Sequence, residues 1–149
     1  MTPPDSIKIT IPGLSPSRNE TDKWTAKRQF WRKKELKETY KWQIFADLNS
    51  RGIDLENIQV TAPVKRKVIF TSYRSRRLDG DNLSGGLKYL QDVLTEMQLI
   101  HDDSPRWLKA EYRQEIDSKS HRVEVEIFGE FGAVKGIAEI EKSQKEEVI

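Results

Sequence analysis

The chain has 149 residues, of which 34% are charged, and it contains no cysteine and only two histidines. This length suffices for one ordinary domain with its own core. The lack of cysteine excludes disulfide frameworks and thiolate zinc sites, and two histidines are too few for a histidine-built site. Any metal would therefore be held by carboxylates.

The sequence also bears on location and domain organisation. No apolar run approaches the length of a bilayer span, and residues 1–5 lack a basic stretch followed by an apolar one. We therefore predict a cytoplasmic protein that has no membrane partner. We expect a single domain over residues 1–131 and a charged tail, helical or disordered, over residues 132–149.

Charge is distributed unevenly along the chain. Residues 1–77 hold 17 Lys and Arg against 8 Asp and Glu, whereas residues 78–149 hold 9 against 16. A polyanion such as nucleic acid would be attracted to the first half. The alternative is that these charges form an ordinary solvated face.

The N-terminal third predicts a short strand and a long helix. Residues 6–11 alternate polar and apolar side chains and end at Pro12-Gly13. Residues 22–50 contain neither Pro nor Gly, which favours one helix. Its second half repeats an apolar residue every four positions, at Leu36, Tyr40, Ile44 and Leu48, and this stripe should face the core.

Basic and aromatic residues are interleaved in the first half of this helix. The aromatic residues are Trp24, Phe30 and Trp31, and the basic residues beside them include Lys27, Arg28, Lys33 and Lys34. Such a mixture suits contact with phosphates together with stacking on an exposed base. The alternative is that the aromatic side chains belong to the core.

The remaining pattern predicts a small α/β fold with a mixed sheet. Residues 58–73 read as a strand in which Pro63 marks an edge or bulge, and residues 81–99 have apolar residues at helical spacing. Residues 108–116 and 121–128 predict two strands, which the turn at 117–120 would join as a hairpin. The architecture would thus combine the sheet with a long basic N-terminal helix and a second helix near residue 81.

Two acidic pairs flank this second helix. Asp79 and Asp81 precede or begin it, and Asp102-Asp103 follow it. Carboxylates at such density repel one another unless a cation neutralises them, and Mg²⁺ is a cation that carboxylate oxygens bind. On a helical projection, Lys88 and Asp92 lie within about 20° of Asp81 and away from the leucines. Phosphate-binding charge precedes the first pair, at Arg74, Arg76 and Arg77. These features predict metal-dependent phosphodiester chemistry.

Structural explanations exist for each acidic pair. Asp81-Asn82 could cap a helix, and Asp102-Asp103 before Ser104-Pro105 could form a turn. An Asp-x-Asp pair also occurs in sugar-nucleotide transferases, but the chain lacks a glycine-rich phosphate loop and a second nucleotide-binding half. A lone histidine at a helix end, His101, is more often structural than catalytic.

The motifs together resemble the RusA-type Holliday junction resolvases. The resemblance rests on Arg-Leu-Asp-Gly-Asp-Asn-Leu at 77–83, Lys88 followed by Asp92, and Leu-Ile-His-Asp-Asp-Ser at 99–104. Its specific part covers residues 74–105. It implies a small α/β fold, a homodimer, and Mg²⁺-dependent nicking of four-way DNA junctions in recombination or repair, often encoded by phages or prophages. No small-molecule cofactor besides the metal is implied.

The resemblance also implies roles for individual residues. Asp79, Asp81 and Asp103 match the essential acids and would hold the metal, with Asp102 as a further ligand, and Lys88 matches the essential lysine. We expect the DNA backbone to be held by a set of basic residues, namely Arg74, Arg76, Arg77, Lys27, Arg28, Lys33 and Lys34.

One feature departs from the family pattern. Asp81 and Lys88 are seven residues apart, whereas the family spacing is four, as though Ser84-Gly85-Gly86 were inserted. In an unbroken helix three extra residues would carry Lys88 about 4.5 Å further along the axis. Because glycine is a poor helix former, we predict a bulged loop and a helix that begins near Gly86. Two alternatives to a junction resolvase remain: a branched-DNA-binding protein weakened by the insertion, and a nuclease for other branched DNA.

Overall fold

A four-stranded mixed β-sheet forms the centre of the fold. The computed structural model describes residues 6–27 and 29–129. In chain order the elements are β1 (Ser6–Pro12), α1 (Arg18–Ala26), α2 (Phe30–Ser50), a 3-10 turn (Leu55–Asn57), β2 (Arg66–Arg74), α3 (Gly80–Gly86), α4 (Lys88–Glu96), β3 (Leu108–Ile116) and β4 (Arg122–Phe128). The protein therefore has the predicted α/β fold with a small mixed sheet. The tail at 132–149 lies outside the described residues.

The strands are arranged in the order β1-β4-β2-β3. β2 pairs parallel with β3, and β4 pairs antiparallel with both β1 and β2. The predicted hairpin between the strands now labelled β3 and β4 is therefore wrong. The backbone N–H of Asp117 donates to the carbonyl of Arg74 at 2.8 Å, so the turn at 117–120 passes the end of β2 and delivers β4 to its other side. Alternation of side chains predicts a strand but does not identify its partner.

The core lies between the sheet and the helices. The predicted stripe on α2 is confirmed, because Tyr40, Ile44 and Leu48 are buried and Leu36 packs against them. Across from it, the inward face of the sheet contributes the remaining large side chains of the centre, among them Ile9, Phe70, Val125 and Ile127.

The predicted helix at 22–50 is divided in two. α1 begins earlier, where the Ser17 hydroxyl accepts a hydrogen bond from the Glu20 N–H at 3.2 Å. It ends at Ala26, and α2 begins at Phe30. Within the break, the Gln29 N–H donates to the Trp24 carbonyl at 2.7 Å. The sequence has no Pro or Gly at this point, so no local signal marks the break.

The start of β2 also differs from prediction. Ile58 follows the 3-10 turn, and the strand begins only at Arg66, so Pro63 precedes it rather than bulging it. In the part of the chain that the structure describes, no helix has both the length and the apolar character that crossing a membrane requires.

Candidate functional site

Asp79 caps the helix that follows β2. Its backbone is extended, and its carboxylate accepts from the Asn82 N–H at 2.9 Å and from the Asn82 Nδ2 at 3.0 Å. The capping role therefore belongs to Asp79 rather than to Asp81-Asn82. Asp81 lies exposed in the first turn of α3, where a negative charge is favoured by the helix dipole. Both carboxylates reach solvent and retain free lone pairs.

The position of Asp79 depends on a side chain that sequence analysis missed. The Gln114 amide in β3 accepts from the Leu78 N–H at 2.9 Å and donates to the Leu78 carbonyl at 2.7 Å. This pair of bonds fixes the residue immediately before Asp79 against the sheet. Gln114 is 36 residues away in sequence, so no local pattern links it to the acidic motif.

The helix does not run unbroken from Asp81 to Lys88. α3 ends at Gly86, Leu87 forms the junction, and α4 begins at Lys88. A helix therefore begins close to the predicted position, with Lys88 in its first turn. The predicted bulged loop is wrong, however, because Gly85 and Gly86 are helical and the break follows them.

The two glycines allow α3 to pack closely against the start of α1 and the segment before it. A Cβ added at Gly86 would lie 1.8 Å from the carbonyl oxygen of Pro16, and one at Gly85 would lie 2.7 Å from the Arg18 side chain. Any side chain at Gly86 would thus overlap backbone. The segment that looks like an insertion in the sequence is a packing contact in the fold.

Charges from several parts of the fold act on the carboxyl group of Asp92. Burial raises the pKa of Asp92, and the negative charge of Asp103 raises it further, while Lys37 opposes both effects and Lys33 and Lys88 oppose them more weakly. Charges from α2, α4 and the loop before β3 thus all act on the Asp92 carboxyl.

The two acidic pairs do not form one centre. Asp79 and Asp81 line an open cleft with Arg18 and Asp22, and Arg18 Nε lies 3.8 Å from the Asp22 carboxylate. Within residues 6–27 and 29–129, no three acidic or histidine side chains are close enough to share a metal ion. The donor type suits Mg²⁺, which in many phosphate-processing sites uses one or two carboxylates together with water and substrate phosphate. The residues thus fit an ion shared with a substrate, but they do not form a closed protein cage.

Asp102 makes local hydrogen bonds of the kind found in turns, which its position before Ser104-Pro105 had suggested. The backbone N–H of Asp103, followed by the Ser104 hydroxyl, holds the pKa of the Asp102 carboxyl below its usual range. His101 packs edge-on against Trp107, with ring centroids 4.7 Å apart. This contact agrees with the structural interpretation of His101.

The three arginines before the acidic motif have different environments. Arg74 is buried, and its Nη1 donates to the Ser15 carbonyl at 2.9 Å and to the Ser15 hydroxyl at 3.2 Å. Its guanidinium therefore holds the loop before α1, and the expected contact with DNA has no support in this arrangement. Arg76 and Arg77 are exposed and available to a phosphate.

The basic and aromatic residues of α1 and α2 form two groups. Trp24 stacks on Tyr89 with centroids 6.5 Å apart, and Lys33 Nζ lies 5.2 Å from the same Tyr89 ring. Phe30 and Trp31 are 63% and 59% exposed, so the core explanation does not apply to them. Lys27, Lys33 and Lys34 are also exposed, and Arg28 lies outside the described residues. This end of α2 presents charge and aromatic surface together.

Comparison with known proteins gives little further guidance. No protein-family model and no curated protein sequence matches the chain. Among solved structures, the chain is similar to GDP-form protofilaments of TubZ from Bacillus thuringiensis serovar israelensis, with a TM-score of 0.46 and 11% identity. The match covers 95% of this chain but only 28% of the TubZ chain.

Proposed function

We propose that the protein is an Mg²⁺-dependent endonuclease that cleaves four-way DNA junctions as a homodimer. The observation that carries the proposal is the break between α3 and α4, after which Lys88 stands in the first turn of the helix that also carries Asp92. Despite the seven-residue spacing from Asp81, the lysine occupies a helix start, four residues before Asp92 in the same helix. The order of motifs in the sequence supplies the rest of the argument.

The carboxylates would act at the scissile phosphate. Asp79, Asp81 and Asp103 are exposed, and Asp102 precedes Asp103 directly. Mg²⁺ held by one acidic pair together with the phosphate oxygens of DNA would activate water and stabilise the leaving oxygen. Lys88 would neutralise charge that develops on the phosphate.

Basic surface would hold the DNA backbone. Arg76 and Arg77 stand exposed just before the acidic motif, and Lys27, Lys33 and Lys34 stand exposed around the start of α2. Contacts from such side chains to phosphates carry no sequence information and weaken with salt. A junction presents two equivalent strands, so a two-fold dimer would place one site on each.

A second candidate is a branched-DNA-binding protein without efficient cleavage. It is favoured by the separation of the two acidic pairs in the described residues. In this version the basic and aromatic surface alone would bind DNA. The carboxylates would have only structural roles, with Asp79 as the cap of α3 and Asp102 in a turn.

One experiment separates these candidates. The purified chain would be incubated with a four-way junction, a flap, a fork and a linear duplex, each with and without Mg²⁺, and both binding and cleavage would be recorded. Paired nicks in the junction that require Mg²⁺ would support the nuclease. Tight junction binding without cleavage would support the binding protein. Preferential cleavage of the flap or fork would identify that DNA, rather than the four-way junction, as the substrate.

A further inference from the structure

The outer edge of β3 pairs with no strand within residues 6–27 and 29–129, because β3 is last in the order β1-β4-β2-β3. This edge is nine residues long, from Leu108 to Ile116. An edge strand presents backbone N–H and C=O groups to which another strand can pair. The opposite edge differs, since the Thr10 N–H of β1 donates to the Asp47 carboxylate of α2 at 3.2 Å.

The charges of β3 are arranged symmetrically around Tyr112. Glu111 and Arg113 flank it directly, and Lys109 and Glu115 stand three residues away on either side. Each mirrored pair therefore combines one acid with one base. If two copies of β3 pair antiparallel with Tyr112 on the two-fold axis, every charged side chain faces an opposite charge from the other copy.

Other registers lose this complementarity. A shift of two residues in one direction sets Lys109 opposite Arg113 and Glu111 opposite its own copy. A shift in the other direction sets Glu111 opposite Glu115 and Arg113 opposite its own copy. Directly opposed like charges destabilise a strand pair, and opposite charges stabilise it. Charged edges ordinarily discourage pairing with other chains, but this pattern favours a second copy in one register.

The ends of β3 fit the same register. Ile116 is 55% exposed, whereas Leu108 is 5% exposed. With Tyr112 on the axis, Ile116 of each copy lies opposite Leu108 of the other. The two side chains share a face of the strand because they are eight residues apart. Pairing would cover an apolar side chain that a single copy leaves in water.

We propose that the chain forms a two-fold dimer through antiparallel pairing of two β3 strands about Tyr112, joining two four-stranded sheets into one of eight strands. This inference supplies a surface for the homodimer of the proposed function, but it rests on strand register and charge rather than on nuclease chemistry.

Charge exchange between two positions tests the register. Lys109 and Glu115 would be altered in the full chain as Lys109→Glu, as Glu115→Lys and as both together, and mass would be measured by sedimentation equilibrium. The wild type should form a dimer of twice the 17.4 kDa chain. Each single variant sets two like-charge contacts across the axis and should weaken the dimer about tenfold.

Restoration is the decisive part of the test. The double variant returns opposite charges to facing positions and should dimerise like the wild type. An equimolar mixture of the two single variants should form a heterodimer, because each supplies the charge that the other needs. Lys119→Glu, an exposed change in the turn after β3, is the matched control and should leave the mass unchanged.

Three results would overturn the inference: a monomeric wild type at the highest soluble concentration, single variants that dimerise as tightly as the wild type, or a mixture that does not associate. DNA cleavage is not a readout in this experiment. The nuclease proposal can therefore fail or stand independently of the dimer surface.

Discussion

The packing of α3 against the loop before α1 predicts that Gly86→Ala destabilises the protein. In an ordinary helix, replacing glycine by alanine stabilises by about 0.5–1 kcal/mol. Here the new Cβ would lie 1.8 Å from the Pro16 carbonyl oxygen and 2.9 Å from its carbon, which real Cβ atoms do not tolerate. Because both are backbone atoms, α3 or the loop must move. Such overpacking costs about 1–3 kcal/mol, so the net loss, after the helix gain is subtracted, should be up to about 2.5 kcal/mol.

Gly80→Ala provides the matched control, because a Cβ at Gly80 meets nothing within 4 Å. It lies in the same helix and should be neutral or stabilising by up to about 1 kcal/mol. Urea unfolding of both variants, monitored by circular dichroism, gives the two free energies of unfolding with a common slope. If Gly86→Ala is as stable as Gly80→Ala, the close contact between α3 and Pro16 is absent and the packing argument is refuted.

Three further predictions concern single side chains. The Tyr40 hydroxyl is buried with no hydrogen-bond partner among the described residues, so Tyr40→Phe should raise the free energy of unfolding by about 1 kcal/mol in urea; a loss of stability would reveal a partner. Because burial raises the pKa of Asp92, the folded state binds its proton more tightly than the unfolded state. Wild-type stability relative to Asp92→Asn should therefore fall as pH rises through the interval above 3.8, and a flat difference in a pH series of unfolding curves would contradict this. Arg77→Ala should weaken binding to any DNA and lower the salt slope of the binding constant by about 1, whereas Arg74→Ala should lower stability by about 1.5–3 kcal/mol through its lost bonds to Ser15. Fluorescence titrations measure DNA binding and urea unfolding measures stability for both variants. If both variants weaken DNA binding equally, the distinction between an exposed Arg77 and a structural Arg74 is contradicted.

Periodic patterns predicted the elements well. The stripe on α2 and the alternation of β1 and β4 each reflect one buried face, and a buried face is a local property of the sequence. The order of strands was not predictable in the same way. β4 reaches the far side of β2 through the bond between Asp117 and Arg74, which joins residues that the sequence separates widely.

Breaks in helices were predicted less well than helices themselves. The break at 27–29 carries no glycine or proline, and Trp24 beside it stacks on Tyr89 of α4, a tertiary contact. At Gly85-Gly86 the opposite error occurred. Glycine suggested a loop, but its small size serves the contact with Pro16 while the backbone stays helical.

The candidate site was predicted in part. The position of Lys88 in the first turn of a helix was predicted from the apparent insertion. Helix capping by a side chain was predicted for Asp81-Asn82, and the structure assigns it to Asp79. The buried position of Arg74 was not predictable, because the run of arginines gives no sign of which one points inward. Gln114 was missed because its bonds to Leu78 join distant segments.

The central claim, that the acidic motif cleaves DNA junctions, is tested most directly by cleavage with one carboxylate removed. Wild type, Asp81→Asn and Asp54→Asn would each be incubated with a labelled four-way junction and Mg²⁺, and junction binding would be measured in parallel. Asp54 is exposed and makes no capping bond, so it controls for loss of an acidic charge elsewhere. The account predicts paired nicks by the wild type and Asp54→Asn, and none by Asp81→Asn, which should bind the junction as well or more tightly. Cleavage by Asp81→Asn at the wild-type rate, or no cleavage by the wild type, would contradict it.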